Sequence, residues 1–276
     1  MSVLRIASVN VNGVRAAYRR GMDAWLAARD IDILAIQEVR AETEDLVALL
    51  GDEWHVVHDS ASAKGRAGVA IASRHRAVIH RVAIGADGFD SAGRWLEADY
   101  EVDGQELTVV SAYVHSGEDG TPKQLEKYKL LDGMAERLAE LGAGSKLAVV
   151  MGDLNVGHRV LDIKNWKGNV KRAGFLPRER AYFDRWIGAE DDPAYNAGAG
   201  MGWVDIGRRF AGDVAGPYTW WSWRGKSFDI DSGWRIDYQL ASPALAASAV
   251  SCTVDRAPTY AERWSDHAPV VVDYEL

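Results

Sequence analysis

A single cysteine, Cys252, leaves no partner for an internal disulfide and excludes a zinc site built from several thiolates. Any metal would be held by oxygen ligands or by histidine. No run approaches the roughly eighteen consecutive apolar residues of a membrane span. The stretch Met1-Ser2-Val3-Leu4-Arg5-Ile6 also lacks a basic segment leading into a long apolar one, so an intracellular, cytoplasmic protein away from membranes is expected. Positive charge is not in excess either: 32 Lys and Arg stand against 40 Asp and Glu, a net charge of −8. Binding of nucleic acid by bulk electrostatics is therefore disfavoured, although a local basic groove is not. No Pro/Ser-rich linker divides the chain, which reads as a single domain over 1–276.

What is present is a set of short, β-branched apolar runs, at 3–9, 32–37, 68–73, 95–102, 106–114, 146–151, 236–241, 248–254 and 270–274. Their length and content predict strands, several of them buried on both faces. Helical patterns fall at about 20–29, 43–50, 122–141 (with Pro122 near its start) and 178–189. Asp103-Gly104 joins two runs as a hairpin turn would, so parallel and antiparallel neighbours are mixed in an α/β protein. "LRIASVNVN" (4–12) and "KLAVVMGDLN" (146–155) both end an apolar run on a polar-x-Asn pattern, suggesting two similar halves that deliver polar groups to one edge. The Gly-rich stretches 62–68 and 196–202 read as exposed loops.

Ligands of α/β proteins collect beyond strand ends. Four such ends carry polar groups: Asn10 and Asn12, Gln37 and Glu38, Asp153 and Asn155, and Asp266 with His267. Singly, each is explained by turn or helix capping. Together they suit hydrolysis of a phosphate ester. Glu38 with Asn10 or Asp266 offers oxygen ligands to Mg²⁺, Asp153 can deprotonate water, and His267 and Asn155 can stabilise phosphoryl charge. Neighbours on an extended segment point to opposite faces, so Asp266 is poorly placed to orient His267. Asp237 is the better partner, because a carboxylate in the strand-like "GWRIDY" needs one. Eleven tryptophans are many, and Trp203, Trp220, Trp221, Trp223 and Trp234 crowd residues 203–234. Most should be core, a minority pocket wall. Lysines and arginines cluster at Arg15, Arg19 and Arg20; at Lys64 and Arg66; at Lys164, Lys167, Lys171 and Arg172; and at Arg224 and Lys226. Each cluster alone is an ordinary solvated face unless it borders a site.

The motifs "NVNGVR" (10–15), "IQEVR" (36–40), "GRWLEAD" (93–99), "GDLN" (152–155), "YTWWSWR" (218–224), "GWRIDY" (233–238) and "SDHAP" (265–269) run through nearly the whole chain. In that order they resemble exodeoxyribonuclease III and the apurinic/apyrimidinic endonucleases of the endonuclease/exonuclease/phosphatase superfamily. The resemblance implies an α/β (α+β) four-layer sandwich of two mixed β-sheets flanked by helices. It implies metal-dependent cleavage of double-stranded DNA 5′ to abasic sites, with 3′–5′ exonuclease activity and cleaning of blocked 3′ ends, by a monomer associated with the nucleoid. Mg²⁺, with Mn²⁺ as an alternative, would sit at Glu38 with Asn10 and Asp266 beside it, in a metal and phosphate site shared with Asp153, Asn155 and His267. Asp153 resembles the activator of water, Asn155 its phosphate-binding neighbour, Tyr113 the tyrosine on the scissile phosphate, and His267 the phosphate-contacting histidine held by Asp237. Asn12, Arg15, Arg94 and Ser116 are the implied substrate contacts, and Trp220, Trp234 and Ile236 the wall of a slot too small for a base. One segment departs: the family's Tyr-x-Pro-amide-Gly is here Tyr113-Val-His115-Ser116-Gly117, which shortens the reach of one phosphate contact. The rivals are a superfamily phosphoesterase for a lipid or small phosphate ester, and a catalytically silent DNA-binding module.

Overall fold

The alternation of the apolar runs resolves into strands and helices in a computed structural model, which describes residues 3–63, 65–82, 84–85, 89, 92–144, 146–188 and 200–276. Lys64, position 189 at the end of the fourth predicted helix, and residues 196–199 of the second Gly-rich stretch lie outside the described residues. The first half of the chain runs β1 (Val3–Asn10), α1 (Val14–Arg19), α2 (Met22–Arg29), β2 (Ile33–Gln37), α3 (Thr43–Leu50), β3 (His55–Asp59), β4 (Val69–Ser73), β5 (Ile79–Arg81), β6 (Trp95–Val102) and β7 (Gln105–Tyr113). There follow α4 (Pro122–Leu141), β8 (Leu147–Asp153), α5 (Pro177–Trp186), β9 (Val204–Asp205), α6 (Ile206–Ala211), β10 (Asp237–Ala241), α7 (Pro243–Ala246), β11 (Ala249–Val254) and β12 (Val270–Glu275). Every strand expected from the sequence is present. Strands β3, β5 and β9 were not expected: each is a sheet edge, with too few residues or too much exposure to leave an apolar signature.

Two six-stranded sheets form, in the orders β11-β12-β1-β2-β4-β3 and β5-β6-β7-β8-β10-β9. Alternating side chains send Ile6, Ile33, Val69, Leu96, Val109 and Met151 into a core between the sheets. Their neighbours Ala7, Val9, Leu34 and Ile36 face outward with Leu46 of α3, while Val110 and Val150 face outward beneath Leu130, Met134, Leu138, Phe183 and Trp186 of α4 and α5. Both faces of both sheets are therefore buried, as the unbroken apolar runs require. Pro122 opens α4 at its first turn, where its missing N–H costs nothing. Asp103 and Gly104 both take positive φ, 49° and 76°, which is the hairpin geometry that Asp-Gly favours. No helix among the described residues is long and apolar enough to cross a membrane.

Each sheet centres on one parallel pair, β1 with β2 and β7 with β8, flanked on both sides by antiparallel neighbours. Two similar halves are thus present, but the equivalence differs from the expected one. Strand β1 matches β7 and β2 matches β8, rather than β1 matching β8. The similarity of "LRIASVNVN" to "KLAVVMGDLN" reflects shared strand-end chemistry and not shared position. In register, Asn10 stands beside Gln37, and Tyr113 beside Asp153, which in turn faces Asp237. The carboxyl ends of both parallel pairs open at one edge of the sandwich.

Candidate active site

That edge holds a cleft of about 370 Å³ lined by Asn10, Asn12, Glu38, Arg40, Tyr113, Ser116, Asp153, Asn155, Ala173, Gly174, Trp220, Trp234, Ile236, Asp266 and His267. Asp153 ends β8 and is 1% exposed. Its Oδ2 accepts from Asn10 Nδ2 at 2.9 Å and Asn155 Nδ2 at 3.0 Å, and its Oδ1 from the Asn155 N–H at 3.0 Å. Asn155 can donate twice to the same carboxylate because it sits at a left-handed φ of 50°, a conformation that Asn tolerates. Its second amide hydrogen goes to the Val114 carbonyl at 2.8 Å. Burial pushes the Asp153 carboxyl up to about 8; the positive His267 works against this, and Asp237 and Glu38 add to it.

His267 Nδ1 lies 2.9 and 3.1 Å from the two oxygens of Asp237, and its Nε2 lies 3.8 Å from Asp153 Oδ2. Because a carboxylate only accepts, Nδ1 carries the proton. Burial would lower the imidazole, but the carboxylates of Asp237 and Asp153 outweigh it and lift His267 to about 10. Asp237 is fixed in turn by Thr219, whose Oγ1 donates to Oδ2 at 2.5 Å and accepts the Asp237 N–H at 3.1 Å. Asp266 turns elsewhere, accepting from Asn12 Nδ2 at 2.9 Å and Trp220 Nε1 at 3.2 Å. The adjacent acid and imidazole serve different partners.

Glu38 follows β2 at φ 51° and reaches the cleft paired with Arg40. Gln37, its neighbour, points between the sheets and donates to Ser111 Oγ at 3.0 Å and Ser8 Oγ at 3.2 Å, a structural clamp. Burial raises the Tyr113 phenol, with Glu38 and Asp153 reinforcing, so it stays a neutral hydroxyl able to donate. Trp220 and Trp234 meet edge to face, 89° apart at 6.3 Å, and form the apolar wall with Ile236 and Gly174. Trp203 and Trp221 are core, and Trp223 lies between Arg263 and Arg20 at 3.9 and 5.2 Å.

Two expected substrate contacts fall outside this cleft. Arg15 projects from α1 to Asp45 at 3.1 Å and lines a smaller adjoining pocket with Arg40 and Arg66. Arg94 packs over the Tyr113 ring, 5.2 Å from its centroid, where its carbonyl accepts the Tyr113 N–H at 2.8 Å. Three contributors escaped sequence reasoning. Arg40 and Thr219 stood within quoted motifs without a role, and Gly174 carried no signal, since a wall made of backbone has none. Lys171 and Arg172 are exposed just before the wall at Ala173-Gly174, and Arg224 and Lys226 on the loop after Trp220-Trp221.

Among the described residues, a metal-compatible group of acids and imidazole is Asp153, Asp237 and His267, with ligand atoms within 4.8 Å of one another. Two of these three already satisfy each other. The remaining oxygen donors that line the cleft, Glu38, Asn10, Asp153 and Asp266, are the set a hard cation prefers, so the residues fit one.

The family model for the Endonuclease/Exonuclease/phosphatase family matches residues 7–267. The chain belongs to this family. Members are metal-dependent phosphoesterases, and the fold and donor set described above agree with that. The chain is 30% identical over 269 residues to an exodeoxyribonuclease of Bacillus subtilis (strain 168), covering 97% of this chain and 98% of that one. Among solved structures, an AP endonuclease from Archaeoglobus fulgidus superposes with a TM-score of 0.82 at 27% identity, over 99% of this chain and 100% of that one. A Neisseria 3′ phosphatase bound to a product DNA hairpin gives 0.83, also at 27% identity with 99% and 100% coverage.

Proposed function

We propose that this protein is a DNA-repair phosphodiesterase that cuts duplex DNA 5′ to abasic sites and trims exonucleolytically or cleans blocked 3′ ends. It would act as one domain over 1–276, as a monomer, in the cytoplasm at the nucleoid. The observation that carries this reading is the juxtaposition of a buried, thrice-bonded Asp153 and the Asp237-backed His267 with an apolar slot of Trp220, Trp234 and Ile236. The relatives named for exodeoxyribonuclease, AP endonuclease and 3′ phosphatase activity support the same substrate class.

Asp153 holds and deprotonates the attacking water, steadied by Asn10 and Asn155. The His267 cation offers its Nε2–H to a phosphoryl oxygen, and the Tyr113 hydroxyl offers a second hydrogen bond. Asn155 spends both amide hydrogens on Asp153 and Val114, which makes it a holder of Asp153 in this arrangement and leaves phosphate contact to other groups. Mg²⁺, or Mn²⁺ in its place, held by Glu38 with Asn10 and Asp266, would neutralise phosphate charge when bound. The wall selects a nucleotide without a base, which is already partly unstacked and enters a small slot at little cost. Incubation with an abasic duplex, with Mg²⁺ and with chelator, tests this. A nick beside the lesion that requires the cation is expected, and its absence in the presence of Mg²⁺ would refute the reading.

A further inference from the structure

Behind the cleft, Lys127 of α4 and Glu179 of α5 form an ion pair with both side chains fully shielded, Nζ to Oε1 2.6 Å. Lys127 Nζ also donates to the Asn155 carbonyl at 2.9 Å. Glu179 is saturated: Oε1 accepts from Gln124 Nε2 at 3.0 Å, and Oε2 from the N–H groups of Gly174 at 2.7 Å and Leu176 at 3.0 Å. Gln124 also packs closely against the loop of Ser116, since a Cβ on Gly117 would lie 1.9 Å from its Oε1, but that oxygen accepts no hydrogen bond from the loop. One buried node therefore grips two separate walls of the cleft, the Asp153-x-Asn155 turn and the Gly174 backbone, and packs beneath the segment after Tyr113. At Gly174 the fit is close, as a Cβ would meet the Trp234 ring at 2.9 Å.

Such a pair contributes little net stability, because desolvating two charges offsets their attraction, and apolar residues of similar volume commonly replace it without loss. What the apolar replacement cannot supply is direction. Three strongly oriented hydrogen bonds to backbone groups at two cleft walls would be gone.

We propose that the Lys127–Glu179 pair is a positioning element for the reaction, fixing the distance between the Asp153/Asn155 turn and the Gly174–Trp234 wall so that a base-less sugar in the slot presents its phosphate to Asp153. This rests on the proposed function. The test compares Lys127→Met, the double variant Lys127→Met/Glu179→Met and wild type for melting temperature and for kcat and KM on an abasic duplex. Lys127→Met alone leaves Glu179 buried and unpaired and should melt well below wild type. The double variant removes the lone buried charge and should regain part of the melting temperature lost by Lys127→Met, short of wild type because the Gly174 and Leu176 N–H groups and Gln124 lose their acceptor. Its kcat should stay about 10- to 100-fold down, the scale of a misplacement near 1 Å, with KM within about threefold of wild type. Recovery of kcat together with melting temperature would overturn the proposal and leave the pair a structural one. Should the double variant not fold, Glu179→Gln carries the test with the same criterion: full kcat in a folded protein refutes it. A wild type that leaves abasic duplex intact would refute the proposed substrate instead, and the same comparison would be read on phosphate release from a 3′-phosphorylated primer.

Discussion

The substitution Asp237→Asn isolates the buried carboxylate that makes His267 a cation. The ordinary imidazole value of 6.5 is lifted here to about 10, which corresponds to a preference for the charged form on the order of 5 kcal/mol. Burial opposes that preference, and Asp237 is its largest source, through charge and through the bonds at 2.9 and 3.1 Å. The amide oxygen of the variant could still accept from Thr219, so the strand should keep its place. With the carboxylate gone, Asp153 at 3.8 Å and Asp266 remain as the charges against full burial, and His267 should titrate well below 10. The sign is definite. A raised imidazole keeps its cation up to the raised value, so lowering it brings the descending limb of the kcat profile to lower pH. At pH 8 kcat should fall by about 10²–10⁴, the range for a displaced charge-stabilising or proton-transfer group. Lowering the pH brings little recovery, because the Asp153 carboxyl already stands at about 8 and its protonation removes the base as the imidazole gains its charge. Single-turnover rates on an abasic duplex between pH 5 and 9.5 supply the measurement. A variant with the wild-type limb, or with kcat reduced less than about tenfold at pH 8, would show that the charge on His267 is not what the reaction uses.

Asp153→Asn should abolish turnover while leaving duplex binding nearly intact, because the amide keeps the shape but cannot take a proton; rapid-quench kinetics beside a gel-shift titration would separate the two, and retained turnover would refute the assignment. A stability effect is expected at Asp162, which does not itself line the cleft. Burial works to raise its carboxyl, but Arg235, with Arg208 and the Arg159 N–H, holds it at about 2. A depressed carboxyl stabilises the fold above its unfolded value of about 4, and that contribution, about 2 kcal/mol, is lost as pH falls toward 2. Urea unfolding of wild type and Asp162→Asn should show the wild-type advantage shrinking between pH 5 and pH 2; a constant difference would count against the network.

How much was legible in advance depended on the kind of signal. Strands such as β2 and β8 announced themselves because a run buried on both faces is apolar throughout, while β3 and β9 at sheet edges carry no such constraint. The Asp237–His267 pairing followed from the cost of a lone carboxylate inside a strand. Parity along an extended segment separated Asp266 from His267, whereas nothing local says which of Gln37 and Glu38 faces the cleft. Arg15 and Arg94 stand outside the cleft for one reason: a long cation near a motif can reach a surface carboxylate or pack against a ring as readily as it can reach into a cleft. The apparent twin strands β1 and β8 were an error of the same sort, where similar chemistry at strand ends stood in for position.

The sequence by itself determined the inventory. One cysteine limited metal ligands to oxygen and imidazole, apolar runs set a mixed α/β fold, the polar residues ending those runs named Asn10, Glu38, Asp153, Asn155 and His267, and the motif resemblance added Tyr113 and the two-sheet sandwich. Tertiary structure alone decided which of these groups touch. Sheet register set Asp153 against Asp237, residues 84 positions apart, and the packing of α4 on α5 put Lys127 and Glu179 behind Asn155. Hydrogen bonds and charge interactions act over a few ångströms, and only the folded chain converts distance along the sequence into distance in space.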